Sequence, residues 1–309
     1  MGSPLKVEKR FSLTGHKDAV YTLEKAWAPE LFFSAGADGM VVLWNLKEPG
    51  KGRMVAKVQS SVYAIMFDAE SSRLYVGQNH EGIHVIDPVK REKVGDVALG
   101  NVAIFDIVSI GSQILVACSD GVIRVVDCES LSVVKTLPAA GQSCRSLAVR
   151  PNAKEFVAGY SDNAVRLFGT EPLFWKKEIP AHAKSVFALR YSPDGKRLFT
   201  VSRDAKIKVW DAENDYANIQ TVDAHMYAIN HLAQSPNGLL LATCSMDKSI
   251  KLWDAESLRL LKVIDKARHA GHGTSVNRLL WAGYDNLLIS ASDDRSVSVW
   301  ELKRNTPEP

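Results

Sequence analysis

The chain has 309 residues, 46% hydrophobic and 24% charged, with 38 basic and 35 acidic side chains and a formal net charge of +3. This is the composition of a globular protein with a large core and not of a disordered one, and so balanced a charge supplies no bulk attraction for nucleic acid or membrane surfaces. No run reaches the roughly 18 apolar residues of a membrane span. The start, Met1-Gly2-Ser3-Pro4-Leu5-Lys6, lacks an apolar leader, and Lys6 stands where a myristoylation motif on Gly2 has Ser or Thr. Cys118, Cys128, Cys144 and Cys244 show no paired spacing, as expected of buried thiols in a reducing compartment. The expectation is a cytoplasmic protein.

In chain order, the first predicted element is an alternating segment, Lys6-Val-Glu-Lys-Arg-Phe11, followed by a repeat that ends Asp38-Gly-Met-Val-Val-Leu-Trp44. Three weaker copies end at Ile86, Val126 and Phe168, and three strong ones run Asp204 to Trp210, Asp247 to Trp253 and Asp294 to Trp300. The end positions 44, 86, 126, 168, 210, 253 and 300 are separated by steps of 42, 40, 42, 42, 43 and 47 residues. Runs such as Val122–Val126 and Leu198–Ser202 carry the period of two expected of strands, and turns such as Ser192-Pro-Asp-Gly195 separate them. Four strands fit each step, which predicts the blades of a propeller.

His16, His182, His225 and His272 each precede a repeat-ending Trp by 28 residues, so length variation is expected between one Trp position and the next His position. Counting four residues beyond each His position yields an apolar column: Val20, Val62, Val102, Cys144, Val186, Ile229 and Val276. Four residues before the Asp of each strong copy stands Ser34, Thr200, Thr243 or Ser290, where the weak copies have Val76, Val116 and Ala158. His, hydroxyl and Trp are present together or lost together, as members of one hydrogen-bonded unit would be. Asp-His-Ser sets are also raw material for nucleophilic catalysis, but four copies at identical spacing favour a structural role.

These residues, with the pairs Gly15-His16 and Trp210-Asp211, resemble the WD40 repeat over about residues 6 to 303. The three middle copies depart from it in lacking both His and Trp. The resemblance implies an all-β fold: a single seven-bladed β-propeller of four-stranded antiparallel blades, with blades at about 13–53, 54–93, 94–135, 136–177, 178–220, 221–264 and 265–303 and a short tail at 304–309. It implies that the segment 6–12 closes the ring as the outer strand of the last blade. It also implies a buried chain in which Asp accepts from His, His accepts from the hydroxyl, and the hydroxyl accepts from the Trp indole. The expected chains are His16-Ser34-Asp38-Trp44, His182-Thr200-Asp204-Trp210, His225-Thr243-Asp247-Trp253 and His272-Ser290-Asp294-Trp300. Blades two to four are expected to rest mainly on apolar packing.

In propellers of similar sequence the narrow face presents the third and fifth residues after the His position and the residue before the Asp. The third-residue column is small and polar, from Ala19 and Ser61 through Asn101 and Ser143 to Ser275. From the other two columns come the candidate partner-binding residues Tyr21, Tyr63, Asn79, Arg145, Phe187, Arg203, Asn230, Met246, Asn277 and Asp293, with Ala103 as the fifth residue of blade three. Aromatics and arginines dominate binding hot spots, although Tyr21, Tyr63 and Phe187 would also suit partial burial between blades. The basic loop Lys266-Ala-Arg-His-Ala-Gly-His272, with Arg145 and Arg203, suggests acidic, phosphorylated or carboxylate-bearing partner segments. His269 and His272 have a spacing that suits a metal, but His272 is committed to the buried chain, so no metal site is expected.

The favoured function is therefore a non-catalytic scaffold for other proteins, as a subunit of a multiprotein complex. It is expected to have no cofactor, metal, small-molecule substrate or membrane contact, and no direct nucleic-acid contact. The alternatives are a propeller enzyme with its site in the channel and a nucleic-acid or chromatin reader. An enzyme would need converging carboxylates or histidines, and the charged inner positions Glu24, Asp106 and Arg190 are expected as isolated ion pairs in separate blades.

Overall fold

The computed structural model describes residues 5–137, 141–151 and 154–304, so most of the tail and Gly2 lie outside the described residues. The strands assemble into seven four-stranded antiparallel sheets. The inner strands are Val20–Lys25, Val62–Asp68, Ile104–Ile110, Cys144–Val149, Val186–Tyr191, Ile229–Gln234 and Val276–Trp281, and each packs beside the next round a ring in which the seventh meets the first. Six blades end in an outer strand that follows in sequence. The seventh borrows Leu5–Leu13, which pairs antiparallel with Val297–Arg304 from Leu5–Arg304 to Leu13–Val297. A blade left with three strands would expose an unpaired edge at the one seam in the ring, and this pairing removes it.

The hydrophobic core is divided among the joints between blades. At the closing joint Val20, Leu23 and Phe32 of blade one pack against Ile289, Ala291 and Val297 of blade seven, and the joint between blades one and two is built alike from Phe33, Val41, Ile65 and Val76. Second strands such as Leu198–Ser202 are buried on both faces, whereas outer strands such as Ser132–Leu137 are mostly exposed. Each fully buried large apolar side chain stabilises the fold by about 1.5–3 kcal/mol, so every joint carries a comparable share.

Blade three departs from the expected register. The start of the inner strand pairs with the end of the second strand as Val20–Gly36, Val62–Gln78 and Cys144–Tyr160, sixteen residues apart, but as Ile104–Cys118, fourteen apart, in blade three. The hairpin from Ile110 to Gln113 is two residues tighter there, so the shortening lies inside the blade and not before it. Ile104 replaces Val102 in the apolar column, Ala103 replaces Asn101 in the third-residue column, and Phe105 replaces Ala103 in the fifth.

Candidate functional site

In each strong blade the histidine Nδ1–H donates to the aspartate at 2.8–3.0 Å. The hydroxyl of Ser34, Thr200, Thr243 or Ser290 donates to Nε2 at 2.7–2.8 Å and accepts the Trp indole N–H at 2.7–2.9 Å. The aspartate also accepts the backbone N–H after the histidine, from Lys17, Ala183, Met226 or Gly273, and one two residues beyond itself. One carboxylate thereby ties the loop entering the blade to the turn between its second and third strands. Burial raises the Asp204, Asp247 and Asp294 carboxyls, but histidine and backbone donors outweigh it and hold them well below the usual range. Burial lowers the His16 and His225 pKa values, with the neighbouring carboxylates opposing.

Blades two to four replace this chain with other polar clamps, so apolar packing is only part of what holds them. Two residues before the repeat end stand His84, Arg124 and Arg166. Arg124 makes a bidentate pair with Asp120, and Arg166 makes one with Asp162, reaches Glu178 at 2.8 Å and stacks over Tyr160 at 4.4 Å. His84 bridges Asp96 and Gln78. In blades three and four, where Trp and His are lost, an arginine two residues before the repeat end takes the carboxylate that the histidine would have held, whereas blade two has His80 in place of that carboxylate and uses Asp96 of its outer strand instead.

The face at the inner-strand starts is tied together in all seven blades by one repeated bond. The residue before the Asp position donates its N–H to the third-column carbonyl, as in Ala37 to Ala19, Arg203 to Ser185 and, in the corrected register, Ser119 to Ala103. On this scaffold Tyr21 packs on Tyr63 with ring centroids 4.8 Å apart, and Tyr63 stacks on Phe105 at 5.9 Å. The Arg145 guanidinium lies 4.2 Å from the Phe105 ring and 5.5 Å from that of Phe187. An arc of rings and one cation thus crosses five consecutive blades, each member half-buried. Phe105 was hidden from the sequence by the two-residue shift.

The other candidates separate by burial. Asn79 is 2% exposed and is no surface residue: its amide donates to Ser61 and its carbonyl accepts from Ile104 N–H, clamping blade two to blade three. Asn230 and Asn277 also clamp adjacent blades, but by their side-chain amides, which donate to the carbonyls of Val276 and Val20. Arg203, Met246 and Asp293 are exposed. Beside Met246, which is 54% exposed, lie Met226 at 82% and Tyr227 at 62%, two residues the column reading passed over although they directly follow His225. Neither Arg145 nor Arg203 has a carboxylate within 4 Å among the described residues. The basic loop is largely exposed and forms one helical turn, Lys266–His269, capped by Asp265, which already engages the Arg268 charge in a bidentate pair.

The channel corrects the expectation of isolated charges. Glu24, Asp106, Arg190, His231 and Arg278, from five blades, line one cavity of about 340 Å³.

Comparison with known families matches the WD40 family, described as WD domain, G-beta repeat, at residues 7–45, 175–211, 217–254 and 265–301. These are the four blades that carry the His-hydroxyl-Asp-Trp chain. The matched repeats and the seven-bladed ring together make this chain a WD40-repeat β-propeller, a member of a family whose fold typically serves as a protein–protein interaction scaffold.

Proposed function

We propose that this protein is a non-catalytic scaffold that holds an extended segment of a partner protein across the narrow face, as a subunit of a larger assembly in a reducing, cytoplasmic setting. The observation that carries the reading is the exposed cluster Met226, Tyr227 and Met246 on the rim of a face whose remaining apolar groups are half-buried. Exposed thioether and phenol groups on two segments joined by backbone hydrogen bonds suit an apolar anchor residue. Arg145 and the exposed Arg203, both without a carboxylate partner among the described residues, favour an acidic or phosphorylated residue on the same segment. The four free cysteines fit the reducing setting.

Selection from a displayed random-peptide library tests this reading. The expected peptides pair an apolar anchor with an acidic residue, and their affinity falls at least tenfold for Met226→Asp and for Arg203→Glu with the melting temperature unchanged. Peptides that bind both variants as tightly as the unmodified protein would place the docking surface elsewhere.

A further inference from the structure

The channel-facing positions of the inner strands are almost all small or apolar, and the charged or titratable ones are Asp106, His231 and Arg278 on one level and Glu24 and Arg190 on the next. Their bonding is unequal. Asp106 is already satisfied, accepting the N–H groups of Leu147 at 2.9 Å and Ile107 at 3.2 Å and the Ser146 hydroxyl at 3.3 Å. Arg278 lies 3.8 Å from Asp106 Oδ1, beyond hydrogen-bond reach, and the Arg190 guanidinium has neither a carboxylate within 4 Å nor a hydrogen bond among the described residues. His231 Nδ1 accepts the Leu279 N–H at 3.3 Å, so the proton of the neutral ring sits on Nε2, which is left as a donor.

Charge follows the same direction. Burial pushes the Glu24 carboxyl up to about 7, with Arg278 opposing and Asp106 adding to the rise, so near neutrality it carries only part of a negative charge. Burial and the two arginines press the His231 pKa far down, keeping that ring neutral. Burial pushes the Asp106 carboxyl up as well, so two guanidinium charges, with Arg190 reached by channel water, face two carboxyls that are both shifted toward the neutral form. The cavity shares Glu24 and Arg190 with a wider one of about 570 Å³, lined also by Pro193, Pro236 and Trp281 at the far ends of the inner strands. The cavity thus continues toward the face opposite Tyr21 and Phe105.

We propose that the channel is a binding site for a small oxyanion, a sulfate, phosphate or carboxylate group held by Arg190 and Arg278 with His231 Nε2–H as third donor. Guanidinium groups bind such oxygens through paired charge-assisted hydrogen bonds, which the cavity walls leave open on both arginines. Glu24 is the competing anion: its protonation strengthens binding, its ionisation weakens it. The oxyanion is either a free ion or the head of a side chain reaching in from the face opposite Tyr21 and Phe105. The site stands independently of the narrow-face reading, since it uses none of those residues.

Equilibrium dialysis of the full chain against radiolabelled sulfate tests the free ion, and titration with a blocked hexapeptide carrying a central phosphoserine tests the side chain. Sulfate is a dianion throughout pH 6 to 8, so a change in its affinity reports the protein groups. The expected result is one saturable site per chain, at least tenfold weaker in Arg190→Gln and in Arg278→Gln, and tighter at pH 6 than at pH 8. In Glu24→Gln the affinity at pH 8 rises to the pH 6 level and the pH dependence flattens. Arginine-dependent binding of the peptide alone assigns the oxyanion to a side chain and supports the site. Absence of saturable binding of either ligand to the folded unmodified protein, or unchanged affinity in both arginine variants, overturns it.

Discussion

His182 shows what a single residue contributes. Its ring joins Asp204 to Thr200, and Thr200 in turn holds Trp210. His182→Ala removes the acceptor of the buried Thr200 hydroxyl proton and one of the donors to the Asp204 carboxylate, and about 2–4 kcal/mol of stability is expected to be lost on that account. A thermal melt within a degree of the unmodified protein would show that the chain is dispensable. Acid acts on the same groups. The depressed pKa values of His16 and His225 give stability that is full above pH ~6.5 and declines below it. The depressed carboxyls of Asp204, Asp247 and Asp294 give stability that is full above pH ~4 and is lost on further acidification. Glu24 has the opposite sign: with its carboxyl raised to about 7, its contribution is complete at pH 4 and is lost as pH rises through 7. Glu24→Gln should match the unmodified protein at pH 4 and exceed it at pH 8 by on the order of 1–2 kcal/mol, allowing for channel water. Urea titrations at the two pH values measure the difference, and equal gaps would show that Glu24 is ionised throughout. The four buried chains were readable because their members keep fixed spacings. Met226 and Tyr227 were not, because exposure depends on what the fold leaves uncovered.

Blades and strands differ in how well their sequences announce them. The strong blades declare themselves by His and Trp, whereas blades three and four hide their clamp in an Asp-Arg pair four residues apart, a spacing common on any hairpin. Arg166→Leu leaves Asp162 and Glu178 without their cation and takes the stacked group from Tyr160, so a loss of about 3 kcal/mol is expected in urea denaturation, as for a broken buried pair. A change below 0.5 kcal/mol would return blade four to apolar packing alone. The two-residue deletion in the Ile110–Gln113 hairpin was visible as the 40-residue step, but its location was not, since only strand pairing distinguishes a short hairpin from a short loop. Phe105 was missed for that reason. The closing strand carries its own prediction: removal of residues 1–13 exposes the edge of Val297–Arg304, and light scattering should report self-association at micromolar concentration. A soluble monomer with an unchanged melt would show that three strands suffice.

At the scale of the molecule, the count of seven repeats followed from their spacing, and the antiparallel build of the blades from the resemblance to the WD40 repeat. The meeting of charges in the channel did not, because Glu24, Asp106, Arg190, His231 and Arg278 are scattered over more than 250 residues and become neighbours only when the ring closes. Closure has a mechanical side as well. The ladder that seals the ring begins with Leu5 opposite Arg304, so both ends of the described chain leave from the same end of one antiparallel pair. Tension between those two points loads the ladder bonds one after another toward Leu13 and Val297, as a zipper opens, instead of sharing the load among them all as shear would. A pull on the ends therefore releases the closing strand at low force while the other six blades keep all four of their strands.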